Sequence, residues 1–278
     1  MATNGTTHGD MVAVGRPRVL ASTTSHKREP LLPTLEVFSR LDLRDVDLNL
    51  HPVLEERVPV EQVAECIARW DLRLWVVSGG WCDFFDSAPR IDDTFRSVWR
   101  QVDIAHRLGV FQLRLFFGRL PYQDYSPRFR QVVCDNLSRL SEKHPDILFA
   151  FENHDGASLH PEVCREILEQ VGRPNIRMNF DPINFERAGV NSLAALDILR
   201  PFVAHLHVKG LAGGEFCEFG AGDIDLTPVL RSLIEGGYRG SLSVEYEGHR
   251  DGTVRLYQAV QRARSTLHAL DRILDVER

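Results

Sequence analysis

Lysine is nearly missing from this chain: Lys27, Lys143 and Lys209 stand against thirty arginines in 278 residues. The net charge is −6 and the pI near 6.0, which argues against a nucleic-acid partner, because a phosphate backbone calls for a basic face. Cysteine is sparse. Cys66, Cys82, Cys134, Cys164 and Cys217 form no C-x-x-C pair, so they read as the reduced thiols of a cytoplasmic protein. No apolar run nears the roughly 20 residues needed to span a bilayer, and no membrane partner is expected. No G-x-G-x-x-G follows the first strand-like segment, where a dinucleotide-binding sheet would carry it. The opening MATNGTTHGDMVAVG, residues 1–15, lacks the basic start and apolar centre of a signal peptide and reads as a disordered tail.

What remains is a soluble globular composition, 43% apolar and 26% charged, long enough to bury a full core. Strand-like runs at 18–25, 45–51, 73–80, 111–118, 147–154, 176–184, 203–210 and 241–248 alternate with helical patterns, the last spanning roughly 254–274. Leu108-Gly109, Val171-Gly172 and Gly236-Gly237 read as helix stops just before strands. Eight strand–helix alternations without an internal linker predict a single-domain (β/α)₈ TIM barrel over residues 16–278, with an open doubly wound sheet as the alternative.

Parallel strands buried on both faces are normally apolar throughout. Here the later ones alternate. Gln112 and Arg114, Ala150 and Glu152, Arg177, Asn179 and Asp181, His205, His207 and Lys209, and Ser243, Glu245 and Glu247 share one phase. With a side-chain period of two, each strand packs an apolar face on the helices and turns a polar face inward. Unpaired buried charge costs several kcal/mol per group, so these side chains must neutralise one another or bind something. Glu152, Asp181, His207 and Glu245, spaced by 29, 26 and 38 residues, each end such a segment. Three carboxylates and one imidazole suit a divalent ion such as Mn²⁺, Mg²⁺ or Zn²⁺. By the same alternation Arg114 serves either a substrate oxygen or a carboxylate, Asp47 or Glu152. Trp81 is either a loop anchor or a platform for a sugar ring, and His51 either a substrate contact or a solvated cap.

Phe151-Glu152-Asn153-His154, Asp181-Pro182-Ile183-Asn184, His205-Leu206-His207-Val208-Lys209, Gly220-Ala221-Gly222-Asp223 and Val244-Glu245-Tyr246-Glu247 occur in a fixed order over about a hundred residues. In that order they resemble the xylose isomerase-like barrels of the sugar phosphate isomerase/epimerase superfamily, which includes ketose 3-epimerases and inosose dehydratases. The resemblance implies that Glu152, Asp181, His207 and Glu245 bind one divalent ion, Mn²⁺ first, with Mg²⁺, Co²⁺ or Zn²⁺ as other candidates. It makes Glu152 and Glu245 the catalytic acid–base pair, and His154, Asn184 and Lys209 contacts for substrate hydroxyls. It also implies a homodimer or homotetramer. Two positions depart from the family pattern: Gly210 where relatives carry aspartate, and Asn184 where many epimerases carry histidine.

The expected activity is that of a metal-dependent isomerase or epimerase of a small sugar or polyol ketone. It works by proton transfer next to a carbonyl through a metal-stabilised enediolate. The alternative is a lyase or dehydratase of a keto-sugar or inosose, which shares the first step and adds an acid for the leaving hydroxyl, with His51, His154 or Lys209 as candidates. An apurinic endonuclease needs basic loops and further histidines, and a scaffold role would leave the four ligand-type residues unexplained. No arginine or lysine lies between Lys209 and Arg231, which disfavours a phosphorylated substrate.

Overall fold

Each of the eight strand-like segments contains a barrel strand in the computed structural model, which describes residues 17–248 and 252–276. The expected tail, residues 1–15, lies outside the described residues. The strands are β1 (Arg18–Ser22), β2 (Asp45–Asn49), β3 (Arg73–Ser78), β4 (Gln112–Phe116), β5 (Leu148–Glu152), β6 (Ile176–Phe180) and β7 (Val203–Val208). A two-stranded hairpin, β8 (Gly210–Ala212) and β9 (Glu215–Cys217), then precedes the last barrel strand, β10 (Ser241–Val244). All barrel neighbours are parallel, and β1 pairs with β10 from Arg18↔Ser241 to Ala21↔Val244, which closes the sheet and rules out the open alternative.

The helices are α1 (Leu31–Arg40), α2 (His51–Leu54), α3 (Val60–Arg69), α4 (Arg90–Arg107), α5 (Pro127–Lys143), α6 (Pro161–Val171), α7 (Pro182–Arg187), α8 (Ser192–Leu199), α9 (Thr227–Glu235) and α10 (Gly252–Val276). The expected stops hold: Gly109, Gly172 and Gly237 adopt φ of 69°, 58° and 85°, conformations glycine reaches without Cβ strain. The apolar phase of the strands, including Phe149, Phe151, Met178, Phe180, Leu206 and Val244, joins the helices in one core. Burying each such side chain stabilises the fold by about 1.5–3 kcal/mol.

The opposite phase continues from strand to strand toward the C-terminal ends, past register shifts at Val46/Asp47 and Met178/Asn179. Ser22 is level with Asp47, Asn49 with Ser78, Ser78 with Arg114, Phe116 with Glu152, Glu152 with Asn179, Asn179 with His205, and His207 with Ser243. Laterally paired residues of a parallel sheet face the same side, so this set lines the interior.

Two local differences from the expected elements have physical causes. The segment expected as strand through residue 184 stops at Phe180, because Pro182 has no N–H for the ladder and starts α7 instead. Asp181 caps that helix, its Oδ1 accepting from the backbone N–H of Ile183 (2.9 Å) and Asn184 (3.1 Å). The β8–β9 hairpin turns on Gly213 and Gly214, both at positive φ, and has too few alternating residues to stand out as strands. Behind it, a Cβ on Gly222 would meet backbone atoms of Leu211 at 2.3–2.8 Å. Gly222→Ala is therefore expected to cost about 1–3 kcal/mol of stability by overpacking. Urea denaturation checks it, and an unchanged midpoint would show that the turn is not pinned there.

Candidate active site

The C-terminal ends of β5, β6, β7 and β10 deliver the four ligand-type residues to one place. Glu152 is the last residue of β5, Asp181 follows β6, His207 lies near the end of β7, and Glu245 follows β10. The Glu245 N–H donates to Val208 carbonyl oxygen (3.0 Å), which extends the β7–β10 pairing by one residue and fixes where its side chain starts. Ligand atoms of Glu152, Asp181 and His207 all lie within 4.8 Å of one another. Glu245 joins through His207: its Oε1 is 3.3 Å from His207 Nδ1, and Glu152 Oε2 is 3.5 Å from the same nitrogen. All four are buried.

The neighbours of these carboxylates are mostly cations and amides. Asn184 donates from Nδ2 to Glu152 Oε1 (3.0 Å), so at this position it reaches a carboxylate of the site itself. Arg114 resolves the choice between Asp47 and Glu152, its Nε lying 3.4 Å from Glu152 Oε2, while Nε and one terminal nitrogen have no hydrogen-bond acceptor among the described residues. Lys209 is buried and surrounded: Asp181 Oδ2 at 2.9 Å, Glu247 Oε1 at 2.6 Å, Glu245 Oε2 at 3.6 Å. Its contact to Asp181 is close but not aligned as a hydrogen bond, so Asp181 Oδ2 lacks a donor among the described residues.

Burial and crowding shift these groups in directions that expose the charge problem. Burial raises the Asp181 carboxyl to about 6, with Lys209 pulling it down and Glu152 pushing it up. Burial opposes charge on His207, but Glu245, Glu152 and Asp47 outweigh it and hold the imidazolium well above the ordinary histidine range. Glu245 sits well below the usual carboxylate range, since His207 and Lys209 overcome its burial. His205, one turn of the pleat below, is pushed down to about 3 by burial and by His207. Both its ring nitrogens are bonded at 2.9 Å to the hydroxyls of Ser241 and Ser243.

This donor set fits one divalent cation. Among the described residues, Asp47, Glu152, Asp181, Glu245 and Glu247 outnumber the fixed cations in contact with them, Arg114, Lys209 and Lys27. Among the described residues, Asp181 Oδ2, Glu245 Oε1 and both nitrogens of His207 find no hydrogen-bond partner, though all are buried. Buried polar atoms are seldom left so, and each costs about 1–3 kcal/mol if nothing satisfies it.

Above the cluster lies a cavity of about 230 Å³ whose lining includes Glu152, Glu245, His154, Arg114, Trp81 and Phe116. Trp81 is stacked on Phe116 (centroids 4.8 Å apart, planes 25°) and capped by the Arg119 guanidinium at 3.7 Å. With 37% of its surface exposed it is both anchored and open to the cavity. His154 packs edge-on against Phe116 at 4.8 Å and is half-exposed beside Asp155. His51 also lines the mouth, exposed and 3.2 Å from Glu55. Asp47 and Glu247 were not in the expected ligand set. Their inward phase was readable in the sequence, but nothing there distinguished them from other polar residues of the same phase.

The chain belongs to the xylose isomerase-like TIM barrel family, whose profile matches residues 35–273. A 3-dehydroshikimate dehydratase of Bacillus anthracis is 22% identical over 177 residues, a match spanning 59% of either chain. Among solved structures, a D-tagatose 3-epimerase-like protein aligns with a TM-score of 0.78 at 19% identity, covering 92% of this chain and 99% of that one. The IolI protein with a bound zinc atom aligns with a TM-score of 0.75 at 18% identity, covering 91% and 97%. Proteins similar to this chain thus include one described as a dehydratase and one described as epimerase-like. Among the described residues no helix is long and apolar enough to cross a membrane.

Proposed function

We propose that this protein is a divalent-metal-dependent isomerase or epimerase of a small sugar or polyol ketone. The observation that carries the reading is the buried cluster of Glu152, Asp181 and His207, with Glu245 against His207, beneath an open cavity. These four would hold the ion, which when bound supplies a Lewis acid for the carbonyl oxygen of the substrate.

The protein's own groups do the proton work. Glu152 and Glu245 arise from strands separated by β6 and β7 and both line the cavity, so a carbon held between them meets a carboxylate on either side. One takes the proton next to the carbonyl; the other, as the acid, returns one to the opposite face. That exchange inverts the centre, and return by a single group to the neighbouring carbon instead gives the aldose–ketose isomer. Asn184 fixes Glu152 by occupying Oε1, while Oε2 is turned toward Arg114 and His207. Arg114, with donors unused, binds a substrate oxygen beside it. The Trp81–Phe116 pair walls one side of the cavity and excludes water from that side of the substrate.

The dehydratase relative favours a second reading on the same residues. Here Glu152 or Glu245 removes the α-proton and His154, at the cavity rim, protonates the β-hydroxyl, which leaves as water to give the enone. Incubation of the metal-loaded protein in deuterated water with a panel of ketoses, inososes and cyclic β-hydroxy ketones separates the two. Deuterium in recovered substrate and epimer supports the isomerase; rising enone absorbance supports the dehydratase. No exchange and no enone with any member would defeat both.

Two expectations follow for the ion. Excess chelator should abolish activity while circular dichroism stays unchanged, because the core described above does not pass through the ligand set. Unfolding on chelation contradicts this. Loading also requires His207 to give up the proton its carboxylate neighbours help it keep. Affinity is therefore expected to rise with pH, and its loss on acidification to begin above the ordinary histidine range, with protonation of Asp181 adding to the loss below about 6. Calorimetric titrations at several pH values read this, and a pH-independent affinity contradicts it.

A further inference from the structure

Asp47 is buried in β2 on the far side of His207 from the other carboxylates, and its two oxygens have separate surroundings. Oδ1 accepts the hydroxyl of Ser78 at 2.8 Å. Oδ2 has no hydrogen-bond partner among the described residues and lies 3.5 Å from His207 Nε2, which likewise has none among them. The other ring nitrogen, Nδ1, faces Glu152 and Glu245. The imidazole is thus clamped between two sets of carboxylates, with one nitrogen toward each.

The geometry points to Asp47 as the positioning residue that accepts the Nε2–H of His207 and so presents Nδ1, with its lone pair, to the divalent ion. A neutral imidazole carries one proton, and the nitrogen without it is the ligand. An acceptor at Nε2 therefore selects the Nδ1-coordinating tautomer. Ser78 holds the carboxylate in register, since its hydroxyl ties down the oxygen that His207 does not face. His205 is ruled out as a competing partner for Asp47, because its ring nitrogens are already taken by Ser241 and Ser243. The consequence is a division of labour among the buried carboxylates: Glu152, Asp181 and Glu245 hold the ion, while Asp47 acts on it through His207.

This role rests on His207 being a ligand, as proposed above, and the two can fail separately. Titration of metal-free protein with Zn²⁺ by calorimetry is expected to show Asp47→Asn binding about 10–100-fold more weakly than the unmodified protein, the usual effect of losing a partner to a ligating histidine. Equal affinity would overturn the role of Asp47. Should the variant not fold, the unmodified zinc-loaded protein still decides: long-range ¹H–¹⁵N correlations of His207 are expected to place the ring proton on Nε2. A proton on Nδ1 overturns the inference, and a merely structural Asp47 would not fix the tautomer. If the unmodified protein takes up no divalent ion, the ligand assignment fails and the role of Asp47 fails with it. If it does and Asp47→Asn matches it, only Asp47 is misassigned.

Discussion

Glu152→Gln and Glu245→Gln are each expected to lose about 10²–10⁴-fold in turnover, the usual worth of a positioned acid–base group. Partial metal occupancy should survive, because an amide oxygen still coordinates weakly. For an epimerase the two variants differ in kind. One still exchanges the substrate's α-proton with solvent, and the other exchanges only that of the product epimer, since each glutamate serves one face. A dehydratase or one-base isomerase shows exchange that depends on a single glutamate. Deuterium incorporation measured from both reaction directions at saturating metal distinguishes these cases. If both variants exchange like the unmodified protein, neither glutamate moves the proton, and His154 becomes the candidate base.

Lys209→Met should be nearly as damaging, but to the fold. The substitution keeps an unbranched side chain one atom shorter and removes the ammonium that Asp181, Glu245 and Glu247 share. Lys209 is buried, so solvent does not replace the lost charge. Breaking a buried ion pair from one side costs about 3–5 kcal/mol. Metal-free Lys209→Met is expected to be destabilised by that amount in urea denaturation. Divalent ion at a hundredfold excess over its Kd should return about 2.7 kcal/mol by binding the folded state. Unchanged stability of the metal-free variant would mean that the carboxylates around Lys209 are already neutral, and the charge account of the site would be wrong.

The barrel was legible because its two signals are local. Period-two alternation fixed the inward phase of Arg114, Glu152, His207 and Glu245, and glycine stops fixed where α4, α6 and α9 end. Partners were not legible in the same way. That Asn184 holds Glu152 and Lys209 pairs with Asp181 depends on closure of the sheet, which sets strand stagger and therefore depth along the axis. Alternation gives a face but no height. Asp47 shows the limit well: Asp45 and Asp47 share a phase, yet Asp45 pairs with Arg73 and Trp75 at the opposite end of the strands. Asp47 meets Ser78 and His207 two residues higher. No property of DVDLN alone separates them. The β8–β9 hairpin escaped notice because three-residue strands are too short to show a period.

The central claim is that four residues from four strands hold one divalent ion, and a crystal of the zinc-loaded protein measured at the zinc absorption edge tests it most directly. A single anomalous peak is expected, with oxygens of Glu152, Asp181 and Glu245 and Nδ1 of His207 at about 2.0–2.2 Å. A peak with any of these four residues outside its coordination shell, or no peak within the barrel mouth at all, would contradict the assignment.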